Sequence, residues 1–195
     1  MDERKATVAR RSRETSIKVE LNIDGSSQFE IATGIRFFDH MLCQLAQHGI
    51  FDLKISATGS DQHHVVEDVA ITLGRAFNQA LGEKHGIIRM AHAIVPMDDA
   101  LAMVALDISG RGQSLIEDSI KDSHISEMHS DLIHHFFMSF ASEARINIHA
   151  QVMRGNNDHH KAEALFKALA RALDLATRLD PRISGSVPST KDSID

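Results

Sequence analysis

Two short stretches place histidine and glutamate where they could share a ligand: His63-His64-Val65-Val66-Glu67 and His159-His160-Lys161-Ala162-Glu163. On a helix the first histidine lies four residues before the glutamate and the second three, so each is a neighbour of the carboxylate. Adjacent histidines, however, point about 100° apart on such a helix and are poorly placed to grip one ion. The pattern favours two ions, each taking one histidine from each stretch and a glutamate. His40 and His135 are available to complete the two sets. Imidazole with carboxylate suits Mn, Fe, Co, Ni or Zn rather than Mg or Ca. Four-coordinate structural zinc usually involves thiolates, and Cys43 is the one cysteine.

Helices must present these groups. Residues 61–81 read as a helix opened by Asp61, with Val65, Val69, Leu73, Ala76 and Phe77 as its apolar stripe. Residues 158–178 form a second, Ala- and Leu-rich one, while 37–49 and 130–144 carry His40 and His135. Residues 16–23 alternate as a half-buried strand; the turn Asp24-Gly25-Ser26 leads to a strand near 28–32, and the pair reads as a hairpin. Further strands are expected at 52–57, 100–108, 113–116 and 145–153. Residues 4–13 read only as basic and polar, and the tail from Pro181 as a loop or binding segment.

A shift of 96 residues superposes Gly59, His63, His64, Glu67, Leu73, Arg75 and Ala76 on Gly155, His159, His160, Glu163, Leu169, Arg171 and Ala172. With one residue of slippage, His40 falls on His135. Polar positions match as well as apolar ones, so a common helix period is not the cause. A strand–helix–strand–helix unit has been duplicated. The expected architecture is α+β, with half-domains at 1–95 and 96–180 and a tail at 181–195.

The chain has 195 residues, 43% of them hydrophobic and 25% charged, enough for a sizeable core. A net charge of −6 without a basic stripe, and no Trp or Tyr, argue against nucleic acid. No apolar run is long enough for a membrane span, and Met1-Asp2-Glu3-Arg4-Lys5 lacks a signal-peptide core. A lone cysteine suits a reducing cytosol, so a cytoplasmic protein is expected. Histidine is the anomaly, at 13 residues. His85, His92, His124 and His149 read as surface residues, Cys43 as core, and His48 as a helix-terminal cation or a site residue. Arg89, Arg111 in Ser109-Gly110-Arg111-Gly112, and the segment Ser186-Val187-Pro188-Ser189-Thr190-Lys191 could recognise phosphate, although spacing alone does not join them.

Several motifs together resemble the imidazoleglycerol-phosphate dehydratase family. They are Phe38-Asp39-His40-Met41-Leu42, the block from Asp61 to Asp68, Asp107-Ile108-Ser109-Gly110-Arg111, His135-Phe136-Phe137, the block from Asn157 to Lys167, and Pro188-Ser189-Thr190-Lys191. The resemblance runs from Arg4 to Lys191, and the length leaves no room for the histidinol-phosphate phosphatase domain fused to some relatives. It implies dehydration of imidazoleglycerol phosphate to imidazoleacetol phosphate in histidine biosynthesis, and two β/α halves of the ribosomal-protein-S5-domain-2 type, each a mixed sheet backed by helices. It further implies two manganese ions and a cubic homo-oligomer of about 24 copies with metals at subunit contacts. Carried over by position, the metal ligands are His40, His63, His64, Glu67, His135, His159, His160 and Glu163. The phosphate ligands are Arg89, Arg111, Ser189 and Lys191, with Lys167 close by. Glu14, Gln44 and Asp98 fall where the family meets substrate, and Glu14, Glu67 and Glu163 are the candidate proton carriers. This chain departs from the family in having Asp99 for a usual Glu and Asp192 for a usual Gly. A non-catalytic metal-storage or metal-sensing protein is the alternative from another class; the anionic-ligand donors favour the enzyme.

Overall fold

The structure, a computed structural model, describes residues 4–183 and 185–194. The first half runs β1 (Lys5–Arg11), β2 (Thr15–Asn22), β3 (Phe29–Ala32), α1 (Arg36–Gly49), β4 (Asp52–Gly59) and α2 (Gln62–Leu81). The second runs β5 (Met90–Met97), β6 (Ala100–Asp107), β7 (Gln113–Glu117), a small hairpin of β8 (His124–Ile125) and β9 (Met128–His129), then α3 (Leu132–Ala144), β10 (Asn147–Arg154) and α4 (Asp158–Thr177). The sheet orders are β1-β2-β4-β3 and β5-β6-β10-β7. In each sheet the last pair is parallel and the others antiparallel. The duplication is therefore topological as well as sequential. The β8–β9 hairpin is the exception, with no counterpart in the first half. β5 pairs with β6 in the second sheet, so a division at residues 95 and 96 falls inside a strand.

The expected β2–β3 hairpin is corrected. β2 pairs with β1 and β4, and β3 lies parallel to β4 on its far side. Asp52 is the physical cause: its Oδ1 accepts from the backbone of Ser26 at 2.7 Å and Gln28 at 3.0 Å, while Leu53 N donates to Gln28 O. These bonds draw the chain after the turn to β4 rather than back along β2. β1 escaped notice because Ala6 is its one fully buried position amid charged residues. β5 alternates exposed and half-buried positions but is largely apolar on both faces and contains Pro96, which weakens its strand signature.

α2 lies on the first sheet and α4 on the second, while α1 packs between β3 and α4 and α3 between β7 and α2. The helices thus form an inner layer shared by both halves. Its core is aromatic and crosses the repeat boundary: Phe38 meets Phe136 at 5.7 Å, Phe136 meets Phe166 at 4.9 Å, Phe140 meets Phe77 at 5.4 Å, and Phe77 meets Phe51 at 5.1 Å. Edge-to-face contacts of this kind add to the area these rings bury.

The α2–α3 pair approaches closely at Gly74, where an added Cβ would stand 2.8 Å from Phe140 O and 2.9 Å from Ala144 N. Those atoms are helix backbone and cannot swing aside. Alanine would gain about 1 kcal/mol of helix propensity, yet overpacking of this kind costs about 1–3 kcal/mol. Gly74→Ala is expected to lower the urea midpoint of unfolding; an unchanged or higher midpoint would show that the helices can separate without loss.

Candidate metal centre

All four helices begin at one end of the molecule; His63, His64, His135, His159 and His160 occupy first turns, and His40 follows the first turn of α1. Asp61 caps α2 by accepting from His64 N at 3.0 Å, and Asn157 caps α4 by accepting from His159 N and His160 N at 2.9 and 3.2 Å. The start of α1 is capped from the other half, because Glu127 between β8 and β9 accepts from Phe37 N at 2.8 Å. The carbonyl of Glu127 also takes the Gln62 side-chain amide at 2.8 Å.

Helix pairing across the halves brings the predicted ligands together in two groups. His40 from α1 and His159 from α4 each place Nε2 3.2 Å from Oε2 of Glu163. The three donor atoms lie within 4.8 Å of one another. A transition ion bound about 2.1 Å from each donor needs donors roughly 3.0–3.4 Å apart, which both nitrogen–oxygen distances meet. The pseudo-equivalent group joins His135 from α3 to His63 and Glu67 from α2. Here the His63 and His135 rings are 4.6 Å apart, and His63 Nε2 is 3.9 Å from Glu67 Oε2. Each group takes one histidine from one half and a histidine and glutamate from the other. The expected sharing of one histidine from each His-His pair is not found within one chain, because the first histidine of each pair faces the glutamate of its own helix and a histidine of α1 or α3.

The groups are not electrostatically equal. Glu163 is buried, and its Oε1 accepts from Lys167 Nζ at 2.7 Å. Burial pushes the Glu163 carboxyl up, but hydrogen bonds from Lys167 and His40 outweigh it and leave it lowered. The position equivalent to Lys167 is Ile71, so Glu67 has no such cation and stands more exposed.

His64 and His160 leave these groups and turn to carboxylates at the two hairpin turns. His64 Nδ1 is 2.5 Å from Asp61 and its Nε2 3.4 Å from Glu14, and the Asp61 hydrogen bond raises the imidazole. His160 Nδ1 is 2.7 Å from Asp99 and its Nε2 3.5 Å from Asp98. Glu14 and Asp98 therefore occupy matching places in the β1–β2 and β5–β6 turns. Asp99 also accepts from the backbone of Asn156 and Asn157, and these bonds with that of His160 hold its carboxyl far below the usual range. The shorter Asp99 thus still ties the turn to α4. Gln44 bonds His48 at 3.1 Å in the last turn of α1, and burial, then Lys167 and Arg171, lower the His48 imidazole.

The anion donors gather elsewhere. Arg89, Ser109, Arg111, Pro188, Ser189, Thr190 and Lys191 line one open cleft of about 680 Å³. Arg89 sits in the left-handed region (φ 76°), held by Asp107 at 2.8 Å and by Pro188 O at 2.7 Å. Among the described residues the side chains of Arg111 and Lys191 have no ion-pair partner. Asp192 adopts φ 58°, a conformation that explains a usual glycine, and it is not among the residues lining the cleft. Lys167 is not in the cleft either; it serves Glu163.

Sequence reading missed the group that anchors the β7–β8 connection. His134 Nε2 lies 2.7 Å from Asp118, and the buried Lys161 donates to Asp158 at 2.6 Å and to Ser119 O at 2.9 Å. Asp158 in turn accepts from the backbone of Lys121 and Asp122. The cue for Lys161 was available: a lysine lying inside the His-His-x-x-Glu block.

Fold and site define a duplicated α+β protein with paired histidine–carboxylate groups and a separate anion cleft. A family model described as imidazoleglycerol-phosphate dehydratase matches residues 33–173, and the chain belongs to that family. It is 57% identical over 195 residues to an imidazoleglycerol-phosphate dehydratase of Dehalococcoides mccartyi, covering all of both chains. It is 54% identical to one of Roseiflexus sp., over 96% of each. Among solved structures, the Staphylococcus aureus enzyme superposes with a TM-score of 0.80 at 31% identity, over 90% of this chain and 99% of that one. The Pyrococcus furiosus enzyme, solved in complex with (S)-C348, gives 0.83 at 37%, over 95% and 99%. No described helix is long and apolar enough to cross a membrane.

The His134–Asp118 pair carries a pH signature. The Asp118 hydrogen bond raises His134 against some loss from burial; burial raises Asp118, but His134 and the Ile120 N–H bring it below its usual value. A raised histidine stabilises below its unfolded value and loses the effect as pH climbs through its folded one. A lowered carboxylate loses its effect as pH falls through its folded value. For metal-free protein, the stability gap between wild type and His134→Gln is expected to be largest at about pH 5.5 and to shrink toward pH 9. A gap that is flat or widens with pH in urea unfolding would contradict the pairing.

Proposed function

We propose that this chain dehydrates imidazoleglycerol phosphate to imidazoleacetol phosphate in histidine biosynthesis, using two manganese ions per active site, in the cytoplasm. We propose further that each active site is built from more than one copy of the chain. The carrying observation is a separation. Arg89 N bonds Ala176 O at the far end of α4, whereas His159 begins that helix, which puts about 25 Å between the anion cleft and the histidines. β5 gives a similar distance, with Arg89 before its first residue and Asp98 after its last. One imidazole ring on a three-carbon phosphate cannot span that gap. A cleft from one copy must meet the histidines of another.

The surface supports such packing. The outer face of the first sheet carries ion pairs such as Lys18–Glu20 and Lys54–Glu30, whereas that of the second leaves Met90, Ile94, Leu115 and Met153 exposed. Apolar patches of this kind mark association, here the homo-oligomer of about 24 copies implied by the family. A storage protein would have no use for the anion cleft.

His40, His159 and Glu163 would hold one ion and His63, His135 and Glu67 the other, with His64 and His160 turned outward to serve sites shared with neighbours. When bound, the ions supply Lewis acidity to the azole, making a ring proton and the adjacent carbon acid easier to lose. Arg111, Lys191 and Ser189 bind the phosphate, and Arg89, braced by Asp107, shapes that cleft. Glu163 has both oxygens committed, which suits a ligand rather than a proton carrier. Glu14 is exposed on a turn beside His64 and is the carboxylate best placed to take the carbon-bound proton or deliver one to the departing hydroxyl. Gln44 and Asp98 border the same end and contact the substrate's polar groups.

Manganese-loaded protein is expected to convert the substrate to an enolisable ketone that absorbs in alkali, and absence of turnover with metal bound would favour storage. Arg111→Ala and His159→Ala are each expected to be inactive alone, but to regain turnover when dissociated, mixed and reassembled. Mixtures as dead as their parents would refute shared sites. Lys167→Met is expected to weaken one of the two manganese sites about tenfold, as loss of a supporting hydrogen bond usually does. Titration should show the second site unmoved and Lys167→Arg largely restored; equal weakening of both would remove Lys167 as the positioning residue of Glu163.

A further inference from the structure

The β8–β9 hairpin holds a histidine pair that lies outside both groups. His124 and His129 are direct cross-strand partners, with ring centroids 3.9 Å apart and their Nε2 atoms 3.2 Å apart. Both rings are exposed, and Ser123 Oγ stands 3.1 Å from His124 Nδ1, leaving the Nε2 edge turned to its partner. In the sequence the two are five residues apart, a spacing that hides the pairing until the hairpin is drawn.

We propose that His124 and His129 form a surface site for one imidazole-preferring divalent ion, of the Ni, Cu or Zn kind, separate from the ions of the active site. An ion about 2.0–2.1 Å from two imidazole nitrogens, at the angles of octahedral or tetrahedral coordination, sets those nitrogens about 2.9–3.4 Å apart. The observed 3.2 Å falls within that span, and with the ring centroids 3.9 Å apart a rotation of the exposed rings about their side-chain bonds is what turns both nitrogens onto one ion. Exposure leaves the remaining positions to water.

The hairpin is also pre-organised. Ile125 and Met128 are buried beneath it, Ser130 closes its base by bonding Ser123 O at 3.0 Å and Asp122 O at 2.6 Å, and Glu127 fastens its tip to α1 and α2. Little ordering remains to be done when an ion arrives, which is the condition for two ligands to suffice. His129 further borders a cleft that Asp61, Glu127 and Asp131 share with His63, and the acidic charge there attracts cations.

Nickel titration by calorimetry on the full-length protein tests the site. Wild type is expected to bind one Ni ion per chain more than either His124→Gln or His129→Gln, each single change removing the whole increment. Equal stoichiometry in all three proteins would overturn the proposal. Anomalous diffraction at the Ni edge supplies a second readout that needs no variant. A peak between the two rings supports the site; rings joined only by their own N–H···N hydrogen bond, with no peak, overturn it.

Discussion

Everything at the site depends on helices of one half packing against helices of the other. α1 lies on α4 and α3 on α2, with the phenylalanine core running without a break from Phe51 through Phe77, Phe140 and Phe136 to Phe38 and Phe166. Neither half could assemble a histidine group alone, because His40 needs His159 and His135 needs His63. The repeat is thus not two sites side by side but two halves exchanging ligands across one core. Burial of these six rings provides the rigidity that such geometry demands.

Duplication supplied the symmetry, and later divergence modified it. Lys167 holds Glu163 where Ile71 leaves Glu67 free, so one carboxylate is buried and fixed while its twin is open. The turns diverged in the same way: Glu14 faces His64 across 3.4 Å, and the paired Asp98 and Asp99 face His160. A carboxylate with freedom to move remains on one side and a tightly bonded one on the other. This asymmetry suits a reaction in which a proton is taken from one place and returned at another.

Much of this was legible in the sequence. The four helices, the cap at Asp61 and the repeat follow from local periodicity and from polar matches 96 residues apart. The 100° offset between adjacent histidines separates His63 from His64 and His159 from His160, but does not say which partners each then meets. What stayed hidden depended on partners distant in the chain. Asp52 redirects β3 through bonds to Ser26 and Gln28, and no local pattern announces that. β1 buries only Ala6, and β5 is apolar on both faces, so neither shows the polar–apolar alternation of a half-buried strand. His124 reads as an isolated surface residue until a two-residue turn sets it opposite His129. Arg89, Arg111 and Lys191 form one cleft only because β5 starts where β6 ends, and the tail lies against that edge.

The most direct test of the whole account is anomalous diffraction at the manganese edge from crystals grown with that ion. One peak is expected within coordination distance of His40, His159 and Glu163, and another beside His63, His135 and Glu67. Side chains arranged as described, but with no peak at either group, would contradict it.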